Sequence, residues 1–506
     1  MNKKNFLKSS AILFVGELLT KILGFVYLSP LSQIDDGIGA IQGYLMTPYS
    51  FFITFSVMGI TNVMMYKLGP VVDDKDQYKR HFLDGAYYVL ITSVVITGFL
   101  LLTAGPMMES TTPKGIAELP DLVLSLRLIA ISILFFGFNT LVRAVMLSKN
   151  YVTVISITYI TEQLVKLIIL LGGCYYFISV KGQDVIVSSY VTAWSVIISV
   201  ATTTLILIGY AIKIKLFDFM DGAKYKWRPS SFKTIFTLGA VYFVNNIFIN
   251  GFSQIDLVMF STGLERLGYG IDEITSLTGA YFTWAWKVIM LVVTLGTVFL
   301  TIMIQQMTRS HSMEEKVVEM KNVLDFMLLY SLLATIFLIT AGSDFYTIFY
   351  PGKEGAEIMI AQSLIIAPVM IRMLLSVFAI TVGKRRVVLQ STLLVFVAKI
   401  VLNPIFFFFF EINGFILSSV VATSLSVAYM LIYDRDVFKF TKKEYRGKIR
   451  LTIRMTLVFL ISAVFSFVIH KLGVSPFTSF MLISVQILLV FAAFNIRAIK
   501  RLKRML

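Results

Sequence analysis

Apolar segments of about 20 residues recur along almost the whole chain, and this feature restricts the possible folds more than any other. A segment of that length crosses the hydrocarbon core of a bilayer as a helix. Because the bilayer core offers no water to unpaired backbone groups, a chain with many such segments folds there as a helical bundle. Hydrophobic residues occupy 57% of the 506 positions and charged residues only 15%, which excludes an ordinary soluble domain.

The hydropathy pattern predicts an all-α integral membrane protein with about fourteen transmembrane helices and no soluble domain. A window of about 19 residues locates them. The predicted spans lie near residues 9–30, 44–65, 85–105, 122–145, 152–177, 185–210, 232–260, 275–304, 323–341, 356–382, 388–410, 413–433, 451–470 and 476–496.

The basic residues predict the orientation of these spans. Most of the 45 Lys and Arg residues lie in the N-terminal tail, in the connections after even-numbered spans and in the C-terminal tail. The opposite connections contain only Lys114, Lys181, Arg266, Lys353 and Lys471. This asymmetry predicts a multi-pass protein of a cell membrane with both termini in the cytoplasm. The formal charge of +16 therefore reflects topology and contact with membrane lipids, and no nucleic-acid partner is expected.

Two local similarities predict an internal repeat. The tetrapeptide Ser-Gln-Ile-Asp occurs at 32–35 and again at 253–256, and the lysine-ending segments 144–149 and 379–384 precede equivalent spans. Both offsets equal six spans, an even number, so the halves would be parallel repeats. We therefore predict three domains, listed as a six-helix bundle over 1–225, a second six-helix bundle over 226–440, and two additional helices with a basic tail over 441–506. Two facing bundles would enclose a central cavity and provide alternating access.

Charged residues inside the predicted spans are the strongest functional signal. A charge at the bilayer centre costs about 2.5–3.5 kcal/mol on insertion scales, so it normally faces a cavity or a partner. The basic candidates for substrate binding are Lys21, Lys166, Lys287, Arg372 and Lys399, followed by Arg127 and Arg143. The acidic candidates for ion pairing or coupling are Glu17, Glu162 and Asp256. A cavity drawn from this set would be cationic and suited to a phosphate or diphosphate headgroup.

Two simpler interpretations of these charges remain open. Glu17 and Glu162 each precede a lysine by four positions, which allows intrahelical ion pairs that only neutralise each other. Arg127 and Arg143 lie near opposite ends of one span and can extend to the lipid headgroups.

Other kinds of chemistry have little support. The chain contains neither of the glycine-rich nucleotide-binding patterns, G-x-x-x-x-G-K-[ST] and G-x-G-x-x-G. Its one cysteine, Cys174, and its three histidines do not have the spacing of metal ligands. We expect no cofactor and no metal site, and we do not expect this protein to be an enzyme.

Several segments resemble polysaccharide-export flippases, closest to the branch of stage V sporulation protein B and the MurJ-type lipid II flippases. They are 18–27 and 36–42 near the start, 161–166 in the fifth span, and 399–404 with Asn413 and Gly414 in the second half. That branch belongs to the multidrug/oligosaccharidyl-lipid/polysaccharide (MOP) exporter superfamily. The resemblance implies a MATE/MurJ-like fold and a bacterial flippase that moves an undecaprenyl-diphosphate-linked saccharide to the outer leaflet.

The resemblance leaves the saccharide open. MurJ-type proteins typically carry a further arginine later in the first span and an arginine pair in the second. This chain has Tyr27 and Ser50 to Phe52 in those regions. Teichoic-acid and capsule repeat units are therefore as compatible as lipid II.

Other functions stay open at the level of sequence. A cation-coupled multidrug antiporter on the same fold, using a proton or a monovalent cation, would need membrane carboxylates, which are few here. A membrane glycosyltransferase would need a large outer loop with catalytic acids, and the outer connections are short. A non-transporting scaffold for wall synthesis is a further alternative.

Overall fold

The computed structural model describes residues 3–57, 59–220, 229–296, 312–433 and 441–505. All regular secondary structure in these ranges is helical. The first ten helices are α1 (Lys3–Val26), α2 (Leu28–Ser32), α3 (Ile38–Val57), α4 (Ile60–Leu68), α5 (Lys75–Thr111), α6 (Leu119–Ser148), α7 (Val152–Cys174), α8 (Val187–Lys213), α9 (Pro229–Arg266) and α10 (Ile271–Thr278). The others are α11 (286–296), α12 (Met313–Thr340), α13 (Gly342–Phe349), α14 (Ala356–Gln362), α15 (Ile366–Thr381), α16 (Arg385–Phe410), α17 (Ile412–Tyr433), α18 (Lys442–Lys471) and α19 (Pro476–Met505).

The helices confirm the predicted class, an all-α integral membrane protein. Twelve segments in the described ranges are long and apolar enough to cross a membrane. Two further helices, α1 and α3, lie at the first two predicted spans. The end of the eighth predicted span, 297–304, lies outside the described residues.

Backbone irregularities occur within several of the predicted spans, and two of them lie in spans two and eight. Gly59 separates α3 from α4 with a φ of 69°, in the left-handed region that favours glycine. A π-helical segment, Gly279–Ala285, joins α10 to α11 and ends two residues before the candidate residue Lys287. Such segments are rare and occur frequently at functional sites.

Contacts between helices divide the chain into two compact units, Met1–Gly279 and Ala280–Leu506. Within the first unit, α9 packs against α3, α4 and α5. The domain boundary predicted near residue 225 rests on the internal repeat, which compactness does not test, so it stays a prediction.

Glycine allows close approach between helices in both units. In the first unit, a Cβ atom on Gly16 of α1 would lie 2.6 Å from Ser156 Cβ of α7. Ser156 Oγ in turn donates a hydrogen bond to the Ile12 carbonyl, at 3.2 Å. In the second unit, a Cβ on Gly414 would lie 2.3 Å from the Phe406 carbonyl oxygen, at the turn from α16 to α17. These contacts hold α1 on α7 and α16 on α17.

Candidate functional site

A buried salt bridge joins α6 to α7 in the first unit. Arg143 Nη2 lies 2.7 Å from Glu162 Oε2, and the exposed fractions of the two side chains are 2% and 21%. The Arg143 guanidinium also stacks over the Tyr159 ring, 4.1 Å from its centroid. Its Nε has no hydrogen-bond partner within the described residues. Arg143 is therefore held by packing on one side and by a carboxylate on the other.

This salt bridge corrects two of the simpler sequence interpretations. Arg143 is buried and does not extend to the lipid headgroups. Glu162 pairs between helices with Arg143, and not within α7 with Lys166. Lys166 is half-buried and forms neither a hydrogen bond nor a salt bridge with any residue in the described ranges. It interacts with Glu162 only electrostatically, at longer distance.

The second half of α1 adds two more charges to this region. Glu17 and Lys21 are exposed and interact electrostatically, but they form no salt bridge with each other or with other described residues. Glu17 also interacts electrostatically with Tyr159 of α7. We call the five charged residues from three helices the α1–α6–α7 cluster: Glu17, Lys21, Arg143, Glu162 and Lys166. With three basic and two acidic members, it has an excess of positive charge.

Arg127 lies apart from this cluster. It is exposed, and its Nε donates a hydrogen bond to the Leu101 carbonyl oxygen of α5, at 3.2 Å. The helix rise separates Arg127 from Arg143 by about 24 Å along α6. The simpler interpretation, a headgroup-directed arginine, fits Arg127 better than it fits Arg143.

Arg372 connects three helices of the second unit. Its side chain is fully buried on α15. Nε donates to Ser426 Oγ of α17 at 3.1 Å, and Nη2 donates to Thr392 Oγ1 of α16 at 2.6 Å. Arg372 thus uses donors within its own bundle.

Lys399 is enclosed in a similar way. Its Nζ, on α16, donates to the Phe415 carbonyl oxygen at 2.7 Å, to Ser418 Oγ at 2.9 Å and to Ser419 Oγ, all on α17. An ammonium group has three hydrogens to donate, and these acceptors match that number. One turn later on α16, the buried Asn403 accepts a hydrogen bond from Ser418.

The two remaining candidates lie on different elements. Lys287 is half-buried near the start of α11. Asp256 is 3% exposed on α9 in the first unit. Each takes part in interactions within the structure. Sequence reasoning therefore identified five residues that the fold brings together in one cluster, and five others that lie elsewhere.

Sequence reasoning missed two sets of polar residues. Tyr159 was not predicted because an aromatic residue in an apolar helix does not by itself indicate a functional site. The second set is a buried carboxylate network, in which Asp344 of α13 interacts with His470 Nε2 at 3.1 Å and accepts from Ser479 Oγ at 2.5 Å. The partners lie on α18 and α19, more than a hundred positions later. A separation of that size leaves no local pattern to detect.

Comparisons with known proteins agree with this architecture. A curated relative, the lipid II flippase MurJ of Bacillus subtilis (strain 168), is 22% identical over 480 residues, covering 90% of this chain and 86% of the relative. A solved lipid II flippase MurJ in an inward closed conformation superposes with a TM-score of 0.69 at 15% identity, covering 97% of this chain and 99% of that one. An inward-facing multidrug resistance MATE transporter of the MOP superfamily gives 0.63 at 12% identity, covering 84% and 95%.

These structural likenesses show the fold, which is the MATE/MurJ-like fold that the sequence predicted. The proteins concerned are a lipid II flippase and a multidrug transporter. The sequence profile of the family described as polysaccharide biosynthesis protein matches residues 6–271, which is more than half of the chain. The chain therefore belongs to the polysaccharide biosynthesis protein family of multi-pass membrane proteins.

Proposed function

We propose that this protein is a flippase that moves an undecaprenyl-diphosphate-linked cell-envelope saccharide from the inner to the outer leaflet, by alternating access through a cationic cavity. The observation that carries the proposal is the positive excess of the α1–α6–α7 cluster, in which Lys21 and Lys166 form no salt bridge in the described ranges. Similarity to a curated lipid II flippase supports a lipid-linked substrate.

The chemistry of the cluster suits a diphosphate. Arginine presents a planar set of donors that matches phosphate oxygens, and lysine supplies a compact charge. A diphosphate headgroup would enter this polar region while the polyprenyl chain stays among membrane lipids. The substrate is a lipid-linked teichoic-acid unit, a lipid-linked capsule or polysaccharide repeat unit, or lipid II. All of these precursors share an undecaprenyl carrier.

The remaining candidate roles are part of the same proposal. The substrate-binding set comprises Lys21, Lys166, Lys287, Arg372 and Lys399, with Arg127 and Arg143, and the ion-pair or coupling set comprises Glu17, Glu162 and Asp256. Lys21 and Lys166 are the strongest members because their charges are not neutralised by direct contact. The proposed topology has both termini in the cytoplasm, which labelling of single cysteines at either end would check.

A second candidate function is a cation-coupled multidrug antiporter. The exposed carboxylate of Glu17 favours it, because exchange of a cation against a proton or a monovalent cation needs such a group within the membrane. The fold is shared with solved MATE transporters, so the fold alone does not discriminate between the two.

The first experiment is to deplete cells of this protein and to determine the identity and leaflet of their lipid-linked precursors. Accumulation of one undecaprenyl-linked species in the inner leaflet supports the flippase and names its substrate. No accumulation, together with new sensitivity to cationic drugs, favours the antiporter. No accumulation and no drug sensitivity, with loss of the wall-synthesis assembly, favours a scaffold.

Complementation of the depleted cells then tests the site. Lys166→Met is expected to leave the precursor in the inner leaflet, since it removes one of the two lysines of the cluster that form no salt bridge in the described ranges. Lys213→Met is a matched control, because Lys213 is exposed in the last turn of α8 and lies outside the cluster. Equal complementation by both variants would argue against the α1–α6–α7 cluster as the headgroup site.

A further inference from the structure

We propose that Glu162 is a tethered substitute for the anionic headgroup: its carboxylate neutralises Arg143 in the empty protein, and a phosphate of the substrate displaces it. This inference rests on the proposed function and deepens it. It makes Glu162 a residue that sets how tightly the substrate is held and how readily it leaves.

The first step of the argument is access to Arg143. The arginine side chain is only 2% exposed, whereas that of its partner Glu162 is 21% exposed. An anion that approaches the pair therefore meets the carboxylate first. Arg143 Nη2 becomes available only when Glu162 Oε2, now 2.7 Å away, moves aside.

The second step is that Arg143 stays in place when Glu162 leaves. Its guanidinium is stacked on the Tyr159 ring at 4.1 Å, a contact that does not depend on the carboxylate. The Nε–H has no acceptor within the described residues, so the group keeps a donor that is not yet used. A phosphate carries more acceptor oxygens than a carboxylate and forms the same charge-assisted hydrogen bonds.

The third step is the requirement for a counter-ion. A buried ion pair that loses one partner leaves an uncompensated charge, which is strongly unfavourable. Arg143 therefore needs an anion in every state of the protein. Glu162 meets this need when no substrate is bound, and the headgroup meets it when substrate is present.

The fourth step is a destination for the displaced carboxylate. Lys166 lies four positions after Glu162, on the same face of α7. It forms no salt bridge in the described ranges of this structure. In the loaded state the displaced Glu162 shares the three donors of Lys166 with the headgroup, which Arg143 and Lys21 also hold. When the carboxylate returns to Arg143, it competes with the headgroup and promotes release.

The test measures binding of inorganic diphosphate to the purified full-length protein in nanodiscs, at constant ionic strength set with chloride. In Glu162→Gln the competing carboxylate is gone, so we expect the Kd for diphosphate to fall about tenfold relative to wild type. Diphosphate should also raise the melting temperature of this variant more than that of wild type. Glu109→Gln is the matched control, since Glu109 is exposed on α5, and its Kd should equal that of wild type.

Two further variants check that the gain in affinity depends on Arg143 and does not result from misfolding. Arg143→Gln combined with Glu162→Gln should abolish the gain in affinity. Glu162→Asp keeps the charge on a shorter side chain, so it guards against misfolding of Glu162→Gln and should bind diphosphate with intermediate affinity. In transport assays Glu162→Gln should lower both KM and turnover, because release becomes slow.

The outcomes separate this inference from the proposed function. If wild type binds diphosphate and neither folded Glu162 variant binds it more tightly, Glu162 is a structural partner of Arg143 and the tethered-substitute idea is wrong. If wild type and all variants bind neither diphosphate nor undecaprenyl diphosphate, the proposed function itself fails.

Discussion

At the scale of single residues, the buried charges differ in how they are neutralised or solvated. Lys399 is surrounded by three oxygen acceptors of α17, while Lys166 has no hydrogen bond within the described ranges. The first arrangement stabilises the fold, and an anionic ligand at Lys399 would have to compete with those oxygens. The charge of Lys166, which lacks such acceptors among the described residues, costs folding free energy, and a bound anion would reduce that cost.

This contrast predicts that the same substitution changes stability much more at Lys399 than at Lys166. Lys399→Met should lower the free energy of unfolding by about 1–3 kcal/mol, because it leaves buried oxygens of Phe415 and Ser418 without their donor. Lys166→Met removes no hydrogen bond and should change stability by less than about 0.5 kcal/mol. Thermal unfolding of both variants in the same detergent measures the difference. Equal destabilisation would show that Lys166 also has a structural role.

The sequence predicted which residues would matter, but not their partners. Charges in apolar segments are easy to recognise because their cost is high in lipid. The choice of Arg143 over Lys166 as partner of Glu162 depends on how α6 faces α7. No local spacing contains that information, since the two residues of the pair belong to different helices.

At the scale of helices, α1 owes its position to a contact that only glycine permits. Gly16→Ala would bring the new Cβ to 2.6 Å from Ser156 Cβ, so we expect α1 to shift and stability to fall by about 1–3 kcal/mol. Because Glu17 moves with α1, transport should fall as well. Gly209→Ala on α8 is the control: its Cβ meets nothing within 4 Å, and the better helix former should be neutral or stabilising. Equal stability of the two variants would contradict close α1–α7 packing.

One carboxylate contacts both C-terminal helices, in addition to the apolar side chains that pack them on α12 and α13. Asp344 of α13 interacts with His470 of α18 and accepts from Ser479 of α19. Asp344→Ala should therefore increase amide hydrogen exchange in α18 and α19 while leaving α6 unchanged. Asp272→Ala, at an exposed position of α10, serves as control. Unchanged exchange in both helices would show that apolar packing alone holds them.

The stability of the first turn of α18 should decrease at acid pH. The pKa of Glu444 lies below its usual value, first because the Thr441 backbone N–H donates to its carboxylate at 2.6 Å, and also because Lys321 lies 3.1 Å away. Because the pKa of Glu444 is lowered in the folded state, its ionised carboxylate stabilises the fold. This stabilisation is fully present above the pKa of the unfolded state, near 4.3, and is lost as the pH falls through the pKa of the folded state. Amide exchange in the first turn of α18 should rise below about pH 4 in wild type. In Glu444→Gln, exchange should be high already at pH 7.

At the scale of the whole molecule, the sequence predicted the class and the positions of the helices, since helices occur at all fourteen predicted spans. It did not predict that α9 packs with α3, α4 and α5, or that compactness divides the chain after Gly279. The physical reason is that lipid and protein interior are similarly apolar. Hydropathy therefore shows that a helix is in the membrane but not which helices it contacts.

The last prediction concerns transport by the complete protein. If the predicted basic residues bind the headgroup, charge-removing substitutions at Lys21, Lys166, Lys287, Arg372 and Lys399 should each abolish transport while the protein remains inserted. Lys287→Ala is the most direct case, because this half-buried lysine lies two residues after the end of the π-helical segment. Transport has to be expressed per folded protein, since Lys399 and Arg372 also hold their own bundle together. Lys213→Ala controls for loss of a basic residue outside the site, and normal transport in all five variants would rule out a cationic cavity.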